Sequence, residues 1–114
     1  MSLAPSLEGR RFSAVHNVGG EVDASTVFVY HQENDAVWGR YSGGAVRVGF
    51  LVGTRAEDEL DIRYTQLNVS GETSTGHCRA RIAALPDGRL RLDEKWEWES
   101  RDGAGTSVVE ELTA

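Results

Sequence analysis

Between Arg89 and Glu99 the chain alternates almost residue by residue. Leu90, Leu92, Trp96 and Trp98 share one parity, and Arg89, Arg91, Asp93, Lys95, Glu97 and Glu99 share the other. Successive side chains of a β-strand point to opposite faces, so this pattern needs a sheet with one dry face and one wet face. Apolar residues at period two recur along the rest of the chain, broken by turn residues at roughly 8 to 12 position intervals, as in sandwiches and barrels. No stretch carries a helical period. The segment 55–59 has room for about one helical turn.

The turns divide the chain into eight expected strands. Gly19-Gly20, Glu33-Asn34-Asp35, Gly43-Gly44, Ser70-Gly71-Glu72, Pro86-Asp87-Gly88 and Gly103-Ala104-Gly105 punctuate strands expected at 11–18, 26–32, 36–42, 45–53, 60–69, 74–85, 89–99 and 106–112. Gly43-Gly44 suits a two-residue hairpin, and in Pro86-Asp87-Gly88 proline presets φ while Asp-Gly supplies the reversal. Such short connections force each strand to pair with its sequence neighbour. The fold expected is all-β: an antiparallel up-and-down meander of about eight strands, closed into a barrel whose interior fits packed side chains or one small ligand. A two-sheet sandwich is the alternative.

A chain of 114 residues suits one domain spanning 1–114, with 1–9 expected to be flexible and to carry no weight in the fold. Hydrophobic residues at 39% and charged residues at 26% fit a globular protein and argue against disorder. A net charge of -6 argues against a nucleic-acid backbone or an anionic membrane as the main partner, and no apolar run is long enough for a spanning helix. Cys78 is the sole cysteine, so an intramolecular disulfide is excluded, and a cytoplasmic location is expected in the absence of a signal-peptide pattern. Asn68-Val69-Ser70 matches a glycan acceptor and is read as chance. Nothing in the sequence sets an oligomeric state.

Several stretches together carry a resemblance. Gly39-Arg40-Tyr41-Ser42-Gly43-Gly44, Gly49-Phe50-Leu51-Val52-Gly53, Asp61-Ile62-Arg63-Tyr64, Leu85-Pro86-Asp87-Gly88-Arg89-Leu90, Glu94-Lys95-Trp96-Glu97-Trp98 and Gly105-Thr106-Ser107 follow one another in the order seen in a family of small bacterial proteins. From Arg11 to Leu112 the chain resembles that family, which is widely labelled N-acetylglutamate synthase. The resemblance implies a lipocalin-like barrel. The residues themselves argue against the label, because no glycine-containing loop opens a helix that could cradle the pyrophosphate of coenzyme A. Acetyl-CoA is therefore expected only under that alternative, and otherwise no cofactor.

Metal and nucleophile chemistry find little support. His77 and Cys78 have opposite parity and cannot reach one metal from a regular strand. His16 and His31, on the first two strands, are the remaining pair that could meet across a ladder. No Gly-x-Ser-x-Gly elbow, phosphate loop or His-Glu-x-x-His occurs.

One residue breaks the alternation. Glu94 shares the parity of Leu90, Leu92, Trp96 and Trp98, and an isolated buried carboxylate costs several kcal/mol unless it is paired, hydrogen-bonded or protonated. It is a candidate ligand anchor or catalytic acid/base, against a purely structural carboxylate. Tyr41, Tyr64 and Gln66 are also expected to point inward, and with Trp96 and Trp98 they are candidate ligand-binding residues lining a partly polar cavity. The alternative is that the aromatics simply fill the barrel. Either Glu110 or Glu111 faces inward, and Glu111 would offer Glu94 a carboxylate partner. A small-molecule ligand is thus the expected partner, with an N-acetyltransferase or a filled-barrel interaction protein as the alternatives.

Overall fold

The computed structural model describes residues 3–113. Eight antiparallel strands run in chain order: β1 Arg11–Val18, β2 Val27–Glu33, β3 Ala36–Gly43, β4 Val46–Ala56, β5 Glu59–Asn68, β6 Thr73–Ala84, β7 Leu90–Trp98 and β8 Ala104–Glu111. Each pairs with its neighbour, and β8 pairs back onto β1, closing the barrel. The expected meander barrel is therefore the fold, in place of the sandwich. No helix occurs among the described residues, and none is long and apolar enough to cross a membrane. At 55–59, where one helical turn had room, β4 runs on to Ala56 and turns over Glu57, whose φ is 56°.

Alternation produces the core directly. Val37 and Tyr41 on β3, Leu60 and Ile62 on β5, Cys78, Ala80 and Ile82 on β6, and Leu90 and Leu92 on β7 all face inward and are buried. Phe12 and Tyr30 meet edge to face with ring centroids 5.3 Å apart. Phe12, Val37, Leu60, Ile82, Leu90 and Leu92 fill the end of the barrel where β1 begins. His77 faces outward toward Asp61 while Cys78 faces the core, as their parities require.

The leading segment corrects the sequence reading. Residues 1 and 2 of the supposedly flexible stretch 1–9 lie outside the described residues, but Leu7 has no exposed surface and Ala4 packs against the core. Arg55 holds this segment by donating to the carbonyl oxygens of Ala4 (2.7 Å) and Pro5 (2.8 Å), while Gln32 Oε1 accepts from the Leu7 amide at 3.0 Å. A barrel end must be covered, and one leucine among polar residues carried too little periodicity to announce that it does so.

Replacing a fully buried leucine by alanine costs about 2–5 kcal/mol. Leu7→Ala should therefore lower the urea midpoint markedly. A change within about 0.5 kcal/mol, the size of an ordinary surface substitution, would return this segment to the status of a tail.

Candidate functional site

The opposite end of the barrel is built differently. β1 pairs with β2 only over Arg11–Ser13 against Val27–Val29, whereas along β8 it continues to Val18. The seam beyond Ser13 is filled by the connection 19–26, a strap across the barrel mouth. Asn17 Nδ2 donates to the Val22 carbonyl oxygen (2.9 Å), and Thr26 Oγ1 donates to that of Gly43 (2.9 Å). Beneath the strap lies a cavity of about 60 Å³, whose lining includes Phe28, Leu51, Tyr64, Trp96 and Trp98.

Glycines place the aromatic wall. Tyr41 sits directly across from Gly49, Tyr64 from Gly76 and Trp96 from Gly105. A Cβ at Gly49 would run into the Tyr41 ring, one at Gly76 into the Tyr64 hydroxyl, and one at Gly105 into the Val18 carbonyl oxygen and the Trp96 indole. Each ring thus lies over its partner strand's bare backbone. Trp96 and Trp98 meet edge to face at 5.4 Å, Tyr64 packs on Trp98 at 5.7 Å, and the Arg101 guanidinium covers the outer Trp98 face at 4.4 Å.

One polar row crosses β7, β8 and β1. Glu94 pairs with Ser107, and Ser107 with Asn17. Regular alternation from Phe12 and Ala14 would turn Asn17 outward, but the register shifts between Ala14 and His16, and a bulge of this kind re-aims the residues that follow. Asn17 lines the cavity, and its Oδ1 is buried with no hydrogen-bond partner among the described residues. Ser107 Oγ donates to Glu94 Oε1 at 2.7 Å. Burial pushes the Glu94 carboxyl up to about 7, the Ser107 hydrogen bond opposing this, with the nearby Asp93 charge a smaller upward push.

A second polar cluster starts on β3 and β5. Tyr41 donates its hydroxyl proton to Gln66 Oε1 (2.9 Å), and Gln66 Nε2 donates to Glu21 Oε1 on the strap (2.8 Å). Asn68 Nδ2 donates to Glu21 Oε2 at 2.9 Å and to Glu72 Oε1 at 3.2 Å. Burial pushes the Tyr41 and Tyr64 hydroxyls and the Cys78 thiol well above their ordinary values, so these groups stay neutral. A thiol held protonated is a poor nucleophile and a poor metal ligand.

Tyr41, Tyr64, Gln66, Glu94, Trp96 and Trp98, singled out from parity, all line this one cavity. The sequence reading missed Asn17, whose bulge alternation could not show, Glu21, which lies in a loop, and Ser107. It also placed some groups wrongly. Glu111 has the inward parity but sits at the other barrel end, where Arg10 Nη1 donates to it at 2.8 Å, so it forms no pair with Glu94. His16 and His31 do not meet, because the β1–β2 ladder does not extend to either; His31 instead contacts Glu8 (3.0 Å). Asn68 spends its amide inside the mouth, which fits the reading of its glycan triplet as chance.

The family model for avidin-like proteins matches residues 5–112. No curated protein and no solved structure matches the chain. Nothing in these comparisons supports the N-acetylglutamate synthase label.

The Glu94 environment sets a sign for pH dependence. The folded protein holds this proton more tightly than the unfolded chain does, so its contribution is greatest below about pH 4.5, falls as pH rises through about 7, and is level above. Glu94→Gln should remove this slope and stabilise the protein at pH 8 by on the order of 2–3 kcal/mol relative to wild type. Parallel stability curves for the two proteins across pH 4–8 would show that Glu94 titrates as an ordinary exposed carboxyl.

Proposed function

This chain belongs to the avidin-like protein family, and we propose that its barrel captures a small molecule at the strap-covered end. The observation that carries the reading is a cavity walled by aromatic rings and lined also by Asn17, Ser107 and Glu94, with Asn17 Oδ1 buried and unpaired among the described residues. Ligand sites are typically apolar clefts with a few convergent polar groups, and an acceptor kept dry without a donor is costly unless something else supplies the donor. Family membership supports the same reading, since it suggests small-molecule binding, of biotin for example.

In this reading Trp96, Trp98 and Tyr64 clasp the apolar body of the ligand. A ligand N–H or O–H donates to Asn17 Oδ1. Glu94, poised near neutrality, donates when protonated and accepts when ionised, which tunes affinity across physiological pH. Tyr41 and Gln66 orient groups toward the opposite wall.

Size adds a mechanical step. A ring the size of benzene needs a cavity of roughly 150 Å³, whereas enclosed waters take up about 10–15 Å³ each. The cavity of about 60 Å³ therefore holds a handful of waters, and in this reading a ligand with a ring reaches its full depth only if the strap shifts. The strap is held mainly by side-chain hydrogen bonds from Asn17, Gln66 and Asn68, few enough to be exchanged for ligand contacts.

The test is a native mass spectrum of the purified protein together with thermal-shift and tryptophan-fluorescence titrations against biotin, glutamate, acetyl-CoA and a medium-chain fatty acid. A ligand at 100 times its Kd should add about 2.7 kcal/mol, a midpoint shift of several degrees for a domain this small. Trp96→Ala should weaken binding about tenfold or more, by removing the ring packed against the ligand. A shift with acetyl-CoA followed by acetyl transfer would favour an enzyme in place of a binder. The absence of any bound mass and any shift across the panel would leave a filled barrel working through its outer surface.

A further inference from the structure

The outer side of the barrel wall carries an apolar patch. Trp38 on β3 and Phe50 and Val52 on β4 are 39%, 53% and 64% exposed. Register places them in two neighbouring rows that cross β2 to β5, with Val29, Arg40, Phe50 and Thr65 in one and His31, Trp38, Val52 and Arg63 in the other. Neither row contains an acidic residue, in a chain whose net charge is -6. The chain's own carboxylates come to both ends of the second row: Glu8 meets His31 at 3.0 Å, and Glu99 meets Arg63 at 3.3 Å. Arg40, between Val29 and Phe50, has no ion pair among the described residues, and neither has the exposed Arg47, three residues before Phe50.

We propose that this patch docks a short acidic segment of a partner protein, whose apolar side chains lie on Trp38, Phe50 and Val52 and whose carboxylates pair with Arg40 and Arg47. Clustered exposed apolar groups mark interaction sites, and interface cores favour Trp, Phe and Arg while excluding Asp, Glu and Lys, as these two rows do. Charge sets the sign of the partner. Carboxylates already sit at the two ends of the Trp38 row, and the unpaired guanidinium of Arg40 offers the fork that takes another in bidentate fashion. The His31 ring stacks on Trp38 with centroids 5.8 Å apart, which holds the indole in place and lowers the ordering cost of binding. Size sets the length: the two rows cover about 14 Å across the strands and about 7 Å along them between Cα positions. A stable dimer needs about 800 Å² from each copy, and a two-fold axis through this patch would set Arg40 against its own copy. Beyond the Trp38 row the next one runs Glu33, Ala36, Thr54 and Asp61, so a phosphate backbone or an anionic membrane laid on this face meets carboxylates where a short segment stops before them. The surface lies outside the barrel, and the proposal does not rest on the capture of a small molecule within it.

The probe is a displayed library of random dodecapeptides, selected on the wild-type protein with the Trp38→Ser/Phe50→Ser double variant as counter-target. Enriched peptides should carry an excess of Asp and Glu together with at least two large apolar residues. A synthetic copy of the leading peptide, followed by fluorescence polarisation, should lose about tenfold or more in affinity on Arg40→Glu, and as much again when its acidic residues are replaced by lysine. Enrichment of neutral or basic peptides overturns the proposal, as does no enrichment over the counter-target, or an affinity that Arg40→Glu leaves unchanged. Sedimentation of the two proteins separates a second copy from a foreign segment: a wild-type dimer that the double variant reduces to a monomer would make the patch a self-interface and sink the proposal. Tighter binding of oligo(U) or of phosphatidylserine vesicles than of the selected peptides would do the same in favour of those surfaces. Exposed side chains are replaced at little cost to folding, and if the double variant does not fold, Val52→Asp serves as the counter-target in its place.

Discussion

Everything inside this protein depends on the ladder between its first and last strands. Seven hairpin pairings would leave a curled sheet with two open edges and one wet side, and only the β1–β8 pairing from Phe12 against Glu111 to Val18 against Thr106 turns one face into an interior. The same ladder carries the bulge near Val15. A bulge in the closing seam bends β1, and two consequences follow together: β1 leaves β2 after Ser13, and Asn17 turns inward beside Ser107. The gap that admits the strap and the polar residue that faces the cavity therefore have one cause.

The barrel is accordingly two half-barrels in chemistry, though one in backbone. At the end where β1 begins, Leu7, Phe12, Tyr30, Val37, Leu90 and Leu92 pack without exposed surface, which supplies the burial a chain this short needs. At the other end, small residues stand where large ones would have completed the filling. Gly49, Gly76 and Gly105 each accept an aromatic ring against bare backbone, so the rings tilt over neighbouring strands instead of meeting at the barrel axis. The apolar half holds the frame stiff enough for the other half to stay partly open.

Much of this was legible in the sequence, for a simple reason. A closed meander has no crossovers, so turn residues fix the order of pairing, and parity fixes which side faces in. Tyr41, Tyr64, Gln66, Glu94, Trp96 and Trp98 all lie within unbroken alternation, and parity put each on the cavity side. What stayed hidden depended on departures from period two. Asn17 follows a bulge, Glu21 and Leu7 lie in irregular segments whose long-range contacts have no local signature, and Glu111 has the expected parity at an unexpected height along the barrel. Parity says which way a side chain points; only the register between strands says how far along the barrel it sits.

The two polar clusters stand in a relation that topology alone dictates. In a ring of eight strands, β8 lies opposite β4, so the row of Asn17, Ser107 and Glu94 across β1, β8 and β7 faces Tyr41 and Gln66 on β3 and β5. Trp96 and Trp98, on β7 with the Glu94 row, supply the apolar surface at the mouth. A barrel that only had to fold would do better with methyl groups at these positions, because each polar group must be kept paired in a dry interior and Asn17 Oδ1 is not. Two sets of hydrogen-bonding groups facing each other across a narrow apolar space suit an occupant that is itself polar at both ends. Between them Glu21 of the strap accepts hydrogen bonds from Gln66 and Asn68, tying the connection across the mouth to the β5 side.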